Sequence, residues 1–355
     1  MDKFNLFGEE FNQDTVTVQY DKNRNPVFII KKDGDIEQEI ETIYRFYVDN
    51  GYPDYKKEEY NLFNEYLSVL GSKNILQGNT FIQSMSGCGV LWTYFPNWKN
   101  VRCGNSKSIS ELWVDGEKLK SLIRKTYRWQ QNFGNGVFTV NRLRQNAKIY
   151  LCGQSVSNFR PTVAKFIYNL YGNKGSVWDM SCGYGGRLFG FFASTCKKYY
   201  GTEPDTKTYK GLLELKEDLL KIEQDKEIHL FNQGSETNVP IEDNSIDLCF
   251  TSPPYFDTEK YSEEETQSYI KYPTEDRWIN GFLHDTLVNC KRVLKPNGHL
   301  VINIANVPTA KDLEERTVEV AKQLGFELEE TLYMVLSSVS GKGEKREPIF
   351  VFKKV

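Results

Sequence analysis

A chain of 355 residues, 39% apolar and 26% charged, has the composition of a globular protein and room for one large domain or two ordinary ones. No stretch reaches the roughly 20 apolar residues of a membrane span, and the opening "MDKFNLFGEE" lacks the basic-then-apolar order of a signal peptide. A soluble cytoplasmic protein with no membrane partner is expected. Seven scattered cysteines without a C-x-x-C pair, beside three histidines, suggest neither a disulfide framework nor a zinc site, so no metal is expected.

In chain order, residues 1–110 read as an α+β region of unknown role. "TVTVQY" and "PVFIIKK" are short strands around a polar turn at Asp21 to Asn25. Ile36, Ile40, Ile43, Tyr44 and Tyr47 recur at helical spacing, and a second helix carrying Tyr60, Phe63, Tyr66, Leu67 and Leu70 stops at Gly71.

The net charge of −3 conceals an asymmetry. From Lys118 to Trp178 there are eleven Lys or Arg and no Asp or Glu, which leaves −14 for the rest of the chain. A helix is expected from Ser110 to Gln131, and aromatic residues interleave with cations from about 81 to 155, with 111–157 the basic aromatic segment that is the candidate for DNA recognition. Rings stack on bases while cations take phosphates, so Arg124, Lys125, Arg128, Arg142, Arg144 and Lys148 are candidate nucleic-acid contacts. A solvated basic face balancing acidic neighbours reads the same way.

After Asn158 the text alternates. Strands are expected at 176–181, 197–202, 228–232, 246–251, 298–304, 329–336 and 347–353, with helices at 161–171, 186–195, 206–222, 275–294 and 311–324. That alternation predicts an α/β catalytic domain over 158–355: a Rossmann-like, doubly wound, mostly parallel seven-stranded sheet. Its last two strands are too close in sequence for a crossover helix, and so form a hairpin with an antiparallel strand near one edge.

Two motifs carry chemistry. "SVWDMSCGYGGRLFG" runs from a strand through Gly183, Gly185 and Gly186 into a helix. Glu203 ends the next strand twenty residues beyond Gly183, the spacing of a turn that takes a nucleoside-bearing cofactor and a carboxylate that takes its ribose. In "GSETNVP", Ser235 and Glu236 are candidate contacts to the base, although an ordinary polar loop has the same spelling. The second motif is "TSPPYF". Two prolines remove two backbone donors and fix two φ angles, so the fourth strand ends there in a stiff turn, at the crevice where the glycine loop also emerges.

Ser252, Pro253, Pro254 and Tyr255 resemble the catalytic motif of the S-adenosylmethionine-dependent amino-methyltransferases that modify exocyclic amines of DNA bases. "DMSCGYGGR" is similar to that family's cofactor motif, "NFRPTVAKFIYNLYG" to the turn and helix at the methionine end, and "RVLKPNGHLVINIAN" and "EPIFVFKK" to its later strands. The resemblance spans about 158–355, and residues 1–157 match nothing recognised. It implies S-adenosylmethionine as cofactor, with Asp179, Ser181, Gly183, Gly185, Glu203 and Thr251 around it, and Phe159 and Pro161 near its methionine end. Arg160 either meets the cofactor carboxylate or lies on the surface. It implies base flipping, with Ser252 and the Pro253 carbonyl holding the amine and Tyr255 stacking on the base. Serine in the place of aspartate favours cytosine N4 over adenine N6. No Pro-Cys occurs, which disfavours methylation of a ring carbon.

The glycine loop and "TSPPY" stand too close for a target-recognition domain between them. Sequence reading therefore falls to the N-terminal region, 111–157 above all, with "SGKGEKR" (340–346) a smaller candidate for phosphate contact. The expected partner is double-stranded DNA and the expected state a monomer or weak dimer. Restriction-modification, an orphan regulator and a phage self-protection enzyme fit equally. An RNA base methyltransferase and a non-catalytic nucleic-acid-binding subunit with a methyltransferase fold are the alternatives.

Overall fold

The computed structural model describes residues 16–30, 34–73, 75–82, 84–134, 136–151, 156–336 and 345–355. The chain forms two compact units, residues 1–54 with 105–155 and residues 55–104 with 156–355. This differs from the expected division at 110 and 157. The stretch 55–104 packs with the α/β unit, although its sequence carries no α/β alternation of its own. Among the described residues no helix is long and apolar enough to cross a membrane.

The smaller unit holds an antiparallel sheet in the order Thr17–Tyr20, Pro26–Ile29, Val137–Thr139. The expected polar turn joins the first two strands: Asp21 Oδ1 accepts from the amides of Asn23 and Asn25, at 2.8 and 2.9 Å. Against the sheet pack the helices Ile36–Asn50, Gly116–Phe133 and Val140–Tyr150, which bury Phe28, Ile40, Tyr47, Trp113, Ile123, Tyr127, Phe138 and Leu143. The single helix expected over 110–131 is two. Ser108 and Glu111 box the start of Ile109–Trp113, and Asp115 then caps a new helix by accepting from the Lys118 amide.

In the larger unit the strands are β1 (Leu76–Gln77), β2 (Thr80–Phe81), β3 (Ser176–Asp179), β4 (Lys198–Thr202), β5 (Glu227–Phe231), β6 (Ile246–Thr251), β7 (Leu294–Asn303), β8 (Phe326–Leu336) and β9 (Lys345–Lys354). They form one sheet in the order β1-β2-β8-β9-β7-β6-β3-β4-β5. The run β7-β6-β3-β4-β5 is parallel, and β9 lies antiparallel between β7 and β8, as the short connection required. This is a Rossmann-like α/β fold. It has two strands more than the seven expected, because a hairpin turning at Gly78 and Asn79 adds β1 and β2 beside β8. Two-residue strands are too short to show alternation in sequence.

All six residues of β6 are buried, which is why it reads as an unbroken apolar run. On one face of the sheet Trp278, Phe282, Leu287 and Val320 meet Trp178, Cys249, Ile302 and Phe352. On the other, Tyr168 of the helix Pro161–Tyr171 sets its ring edge-on to Phe250, with centroids 5.5 Å apart.

Candidate active site

Register puts β3 and β6 side by side, Val177 against Leu248 and Trp178 against Cys249. The loops that leave their carboxyl ends therefore open on the same edge, at the point where the strand order reverses.

After β3 the chain turns through Gly183 and Gly185 at φ 52° and 72°, the left-handed region that glycine enters without penalty. A side chain at Gly185 would strike Leu215, whereas the space over Gly183 is open. The Gly183 amide donates to Glu203 Oε2 at 2.8 Å and the Asp205 amide to Oε1 at 3.0 Å, so the carboxylate at the end of β4 is bolted to the glycine turn. Burial pushes the Glu203 carboxyl up to about 8; the two amide bonds oppose that, and the charge on Asp205 adds to it.

Asp179 is fully buried and committed within the protein. Its two oxygens take Arg187 Nε at 3.0 Å each, one accepts from the Tyr199 hydroxyl at 2.8 Å, and the other from the Ser181 amide at 3.2 Å. Arg187 also donates to the Ser181 carbonyl and lies over the rings of Phe159 and Phe250, at 5.4 and 5.9 Å. Asp179 therefore holds the loop both directly, at the Ser181 amide, and through Arg187 at the Ser181 carbonyl. Asn158 does a related job: its side chain donates to the Tyr184 carbonyl at 2.7 Å and accepts from the Gly186 amide at 3.1 Å. Sequence reading missed both Arg187 and Asn158, although each stands inside a quoted motif.

Phe159 meets Phe250 edge-on at 5.4 Å, and Pro161 opens its helix. Arg160 is buried and donates to the Val335 carbonyl, so it is not a surface residue. In the loop after β5, Ser235 shares a hydrogen bond with Thr286 at 2.9 Å and Glu236 pairs with Lys271, while Asn289 holds the carbonyls of Ser235 and Thr237.

At the end of β6, Thr251 Oγ1 is buried and has no hydrogen-bond partner among the described residues. Pro253 is buried and Ser252 and Tyr255 are half-buried. The turn then closes tightly: the Phe256 amide donates to the Pro254 carbonyl at 3.1 Å and the Thr258 amide to the Tyr255 carbonyl at 3.2 Å. Phe256 adopts φ 56°, strained for a bulky residue, with its ring buried near Trp278. The Tyr255 hydroxyl lies 3.3 Å from Asn303 Oδ1 and 3.3 Å from Glu347 Oε2.

The stretch 88–104, of unknown role in the sequence, covers this edge. Trp92 and Phe95 pack on Tyr184 of the glycine turn at 5.6 and 5.5 Å, and Asn97 donates to Asp205 Oδ2 and Thr208. Arg102–Cys103 then pairs antiparallel with Glu259–Lys260, just beyond the double proline.

Residues 246–354 match the DNA methylase family model. The match begins at β6 and takes in the double-proline turn, and it supports an amino-methyltransferase. The cofactor that belongs with this fold and this match is S-adenosylmethionine. The residues present fit it: open space over Gly183, a buried Thr251 hydroxyl with no partner among the described residues, and a carboxylate at the end of β4. No curated protein matches the chain. Solved structures are similar at low identity. A putative RNA methyltransferase from Pyrococcus horikoshii is 13% identical, with 55% of this chain and 83% of that one covered and a TM-score of 0.38. TrmN from Thermus thermophilus is 16% identical, with coverages of 55% and 49% and a TM-score of 0.37. Geranyl diphosphate C-methyltransferase from Streptomyces coelicolor A3(2) is 11% identical, with coverages of 54% and 78% and a TM-score of 0.38. Likenesses of this size say nothing about substrate.

In the smaller unit, Arg142 stacks 3.4 Å over Trp129 and Lys125 sits 4.9 Å over Tyr150, while Arg128 is exposed and Phe133 keeps 74% of its surface. Two of the six basic candidates read differently. Arg144 is 1% exposed and donates to the Pro53 carbonyl at 2.7 Å, the Asp54 carbonyl and Asn141; it ties the end of a loop to its helix and is out of reach of a nucleic acid. Arg124 is paired with Glu37 at 2.6 Å. The expected phosphate contact at 340–346 lies mostly outside the described residues.

Proposed function

We propose that this chain is a DNA amino-methyltransferase that flips a base out of the duplex and methylates its exocyclic nitrogen, cytosine N4 in preference to adenine N6. The observation that carries the reading is the stiff Ser252–Tyr255 turn beside the Gly183–Glu203 turn on adjacent parallel strands, within a segment that matches the DNA methylase family. When bound, S-adenosylmethionine supplies an electrophilic methyl group. The amine lone pair is delocalised into the base, so the protein's task is to localise and aim it. The Ser252 hydroxyl and the Pro253 carbonyl accept from the two amine hydrogens, and the prolines hold that carbonyl still. Tyr255 offers a face to the flipped base. The serine in place of aspartate supports the preference for cytosine.

The duplex partner falls to the smaller unit, where Lys125, Arg128, Arg142 and Lys148 take phosphates beside the rings of Trp129, Phe133 and Tyr150. Transfer of tritium from labelled S-adenosylmethionine to unmethylated duplex DNA, with total RNA in a parallel reaction, tests the assignment. Label in RNA alone would move the substrate class.

Glu203 makes cofactor binding depend on pH. Ribose hydroxyls donate to the ionised carboxylate, and the free carboxyl titrates at about 8. Affinity for S-adenosylmethionine should therefore rise roughly tenfold from pH 7 to pH 9, with proton uptake by buffer visible in calorimetry. The sign for folding is opposite. A carboxyl raised from 4.5 to about 8 contributes stability at acid pH that is lost as pH rises through that window. Glu203→Gln should flatten both dependences.

A further inference from the structure

Past the double proline the chain leaves the core. From Asp257 to Thr266 no residue is buried, yet both ends of the stretch are pinned on one side chain. Phe256 sets its buried ring 6.5 Å from that of Trp278, and Trp278 Nε1 donates to Ser268 Oγ at 3.3 Å. Between the pins the strap touches the turns that line the crevice. The Thr258 carbonyl accepts from the Gly104 amide at 2.7 Å, and the ladder to Arg102–Cys103 follows. The Tyr261 ring stands 6.0 Å from Tyr184 of the glycine turn. Beyond the end of β4, Glu264 accepts from the Thr206 amide and hydroxyl, at 3.2 and 3.0 Å, and the Thr266 hydroxyl donates to the Pro204 carbonyl at 3.2 Å.

The strap therefore runs from the Ser252–Tyr255 turn past the glycine turn to the clamp on Glu203, a residue left only 8% exposed. Three polar atoms along this path are buried with no partner among the described residues: Tyr184 Oη, Asp205 Oδ1 and Gln267 Nε2. Buried groups of that kind are satisfied by a polar ligand or by water.

We propose that residues 257–266 are a gate on the cofactor. Hinged at Trp278 and latched on Arg102–Cys103 and on Thr206, they swing clear for S-adenosylmethionine to enter and for S-adenosylhomocysteine to leave. The inference rests on the cofactor lying along the Gly183 and Glu203 turns. The latches are hydrogen bonds among partly exposed groups, for which water substitutes readily, whereas the pins at Phe256 and Ser268 are buried. Opening therefore frees the strap without disturbing the sheet. Because the strap continues directly from the double-proline turn, closing it over the cofactor also fixes where that turn leads.

The ladder itself provides the test. Gly104 and Thr258 form a hydrogen-bonded pair, so the next pair, Cys103 and Glu259, is of the kind whose side chains approach most closely, within reach of a disulfide. Glu259→Cys, once oxidised, should bolt the strap shut, and exchange of tritiated S-adenosylmethionine against unlabelled cofactor reads the result. Oxidised before loading, the variant should take up label at least about tenfold more slowly than its reduced form. Oxidised after loading, it should release label at least about tenfold more slowly. Dithiothreitol should restore both rates. A damaged site would lose label faster, so slow release from loaded protein separates gating from distortion. Glu264→Ala cuts the opposite latch and should speed release about fivefold. Exchange by the disulfide-linked protein within about twofold of its reduced form would overturn the gate. Should the disulfide fail to form, unchanged release from Glu264→Ala would overturn it equally. A wild type that binds no S-adenosylmethionine would instead remove the cofactor reading on which the gate rests.

Discussion

Ser252→Ala is expected to lower single-turnover methyl transfer about a hundredfold and to leave S-adenosylmethionine affinity within about twofold. The hydroxyl stands at the end of β6, next to the cofactor turn but outside the Glu203–Gly183 clamp that would hold the nucleoside. Removing it withdraws one of the two acceptors that fix the amine, and the lone pair returns to the ring. The backbone is unaffected, since the turn is kept by Pro253, Pro254 and the Phe256–Pro254 hydrogen bond. Rapid-quench transfer and calorimetry on the same protein separate the two quantities. An equal fall in rate and affinity would place Ser252 in the cofactor site, and an unchanged rate would remove it from the chemistry.

Arg187→Leu should be the most damaging single change to the fold of the larger unit, at about 3–5 kcal/mol, because it strips the cation from a fully buried carboxylate. Asp179 would retain the Tyr199 hydroxyl and the Ser181 amide, which satisfy lone pairs but supply no compensating charge. The Ser181 carbonyl would also lose its donor, so the glycine turn loosens and cofactor affinity falls with stability. Asp179→Asn in the Arg187→Leu background removes the stranded charge and should recover part of the loss. Urea denaturation measures this. A cost below about 1 kcal/mol would show that the pair is dispensable to the loop.

Legibility in the sequence followed burial. The run 246–251 is a strand in both readings because a fully buried parallel strand has no polar side to interrupt it, and Pro161 to Tyr171 is the helix its periodicity implies. The glycine turn and the double proline were visible because only those residue types permit those backbones. What stayed hidden was long-range. Nothing local distinguishes Arg144, whose guanidinium is consumed by the carbonyls of Pro53 and Asp54, from Arg142, which lies over Trp129. Nothing near Trp92 or Asn97 announces that they cover a turn some ninety residues on. Asn303 and Glu347 looked like ordinary strand residues until the order β9-β7-β6 brought them to Tyr255. Only the Asp115 break was written locally, as an N-cap inside a helical pattern.

On the proposed reading the Ser252–Tyr255 turn directs a methyl group onto an exocyclic nitrogen of DNA. Mass spectrometry of nucleosides from unmethylated duplex DNA, after incubation with S-adenosylmethionine and either wild type or Ser252→Ala, tests it most directly. The expected product is N4-methylcytosine, abundant with wild type and depleted about a hundredfold with the variant. Adenine N6 as the target would correct the base and keep the chemistry, whereas 5-methylcytosine, or equal yields from the two proteins, would rule out amine methylation by this turn.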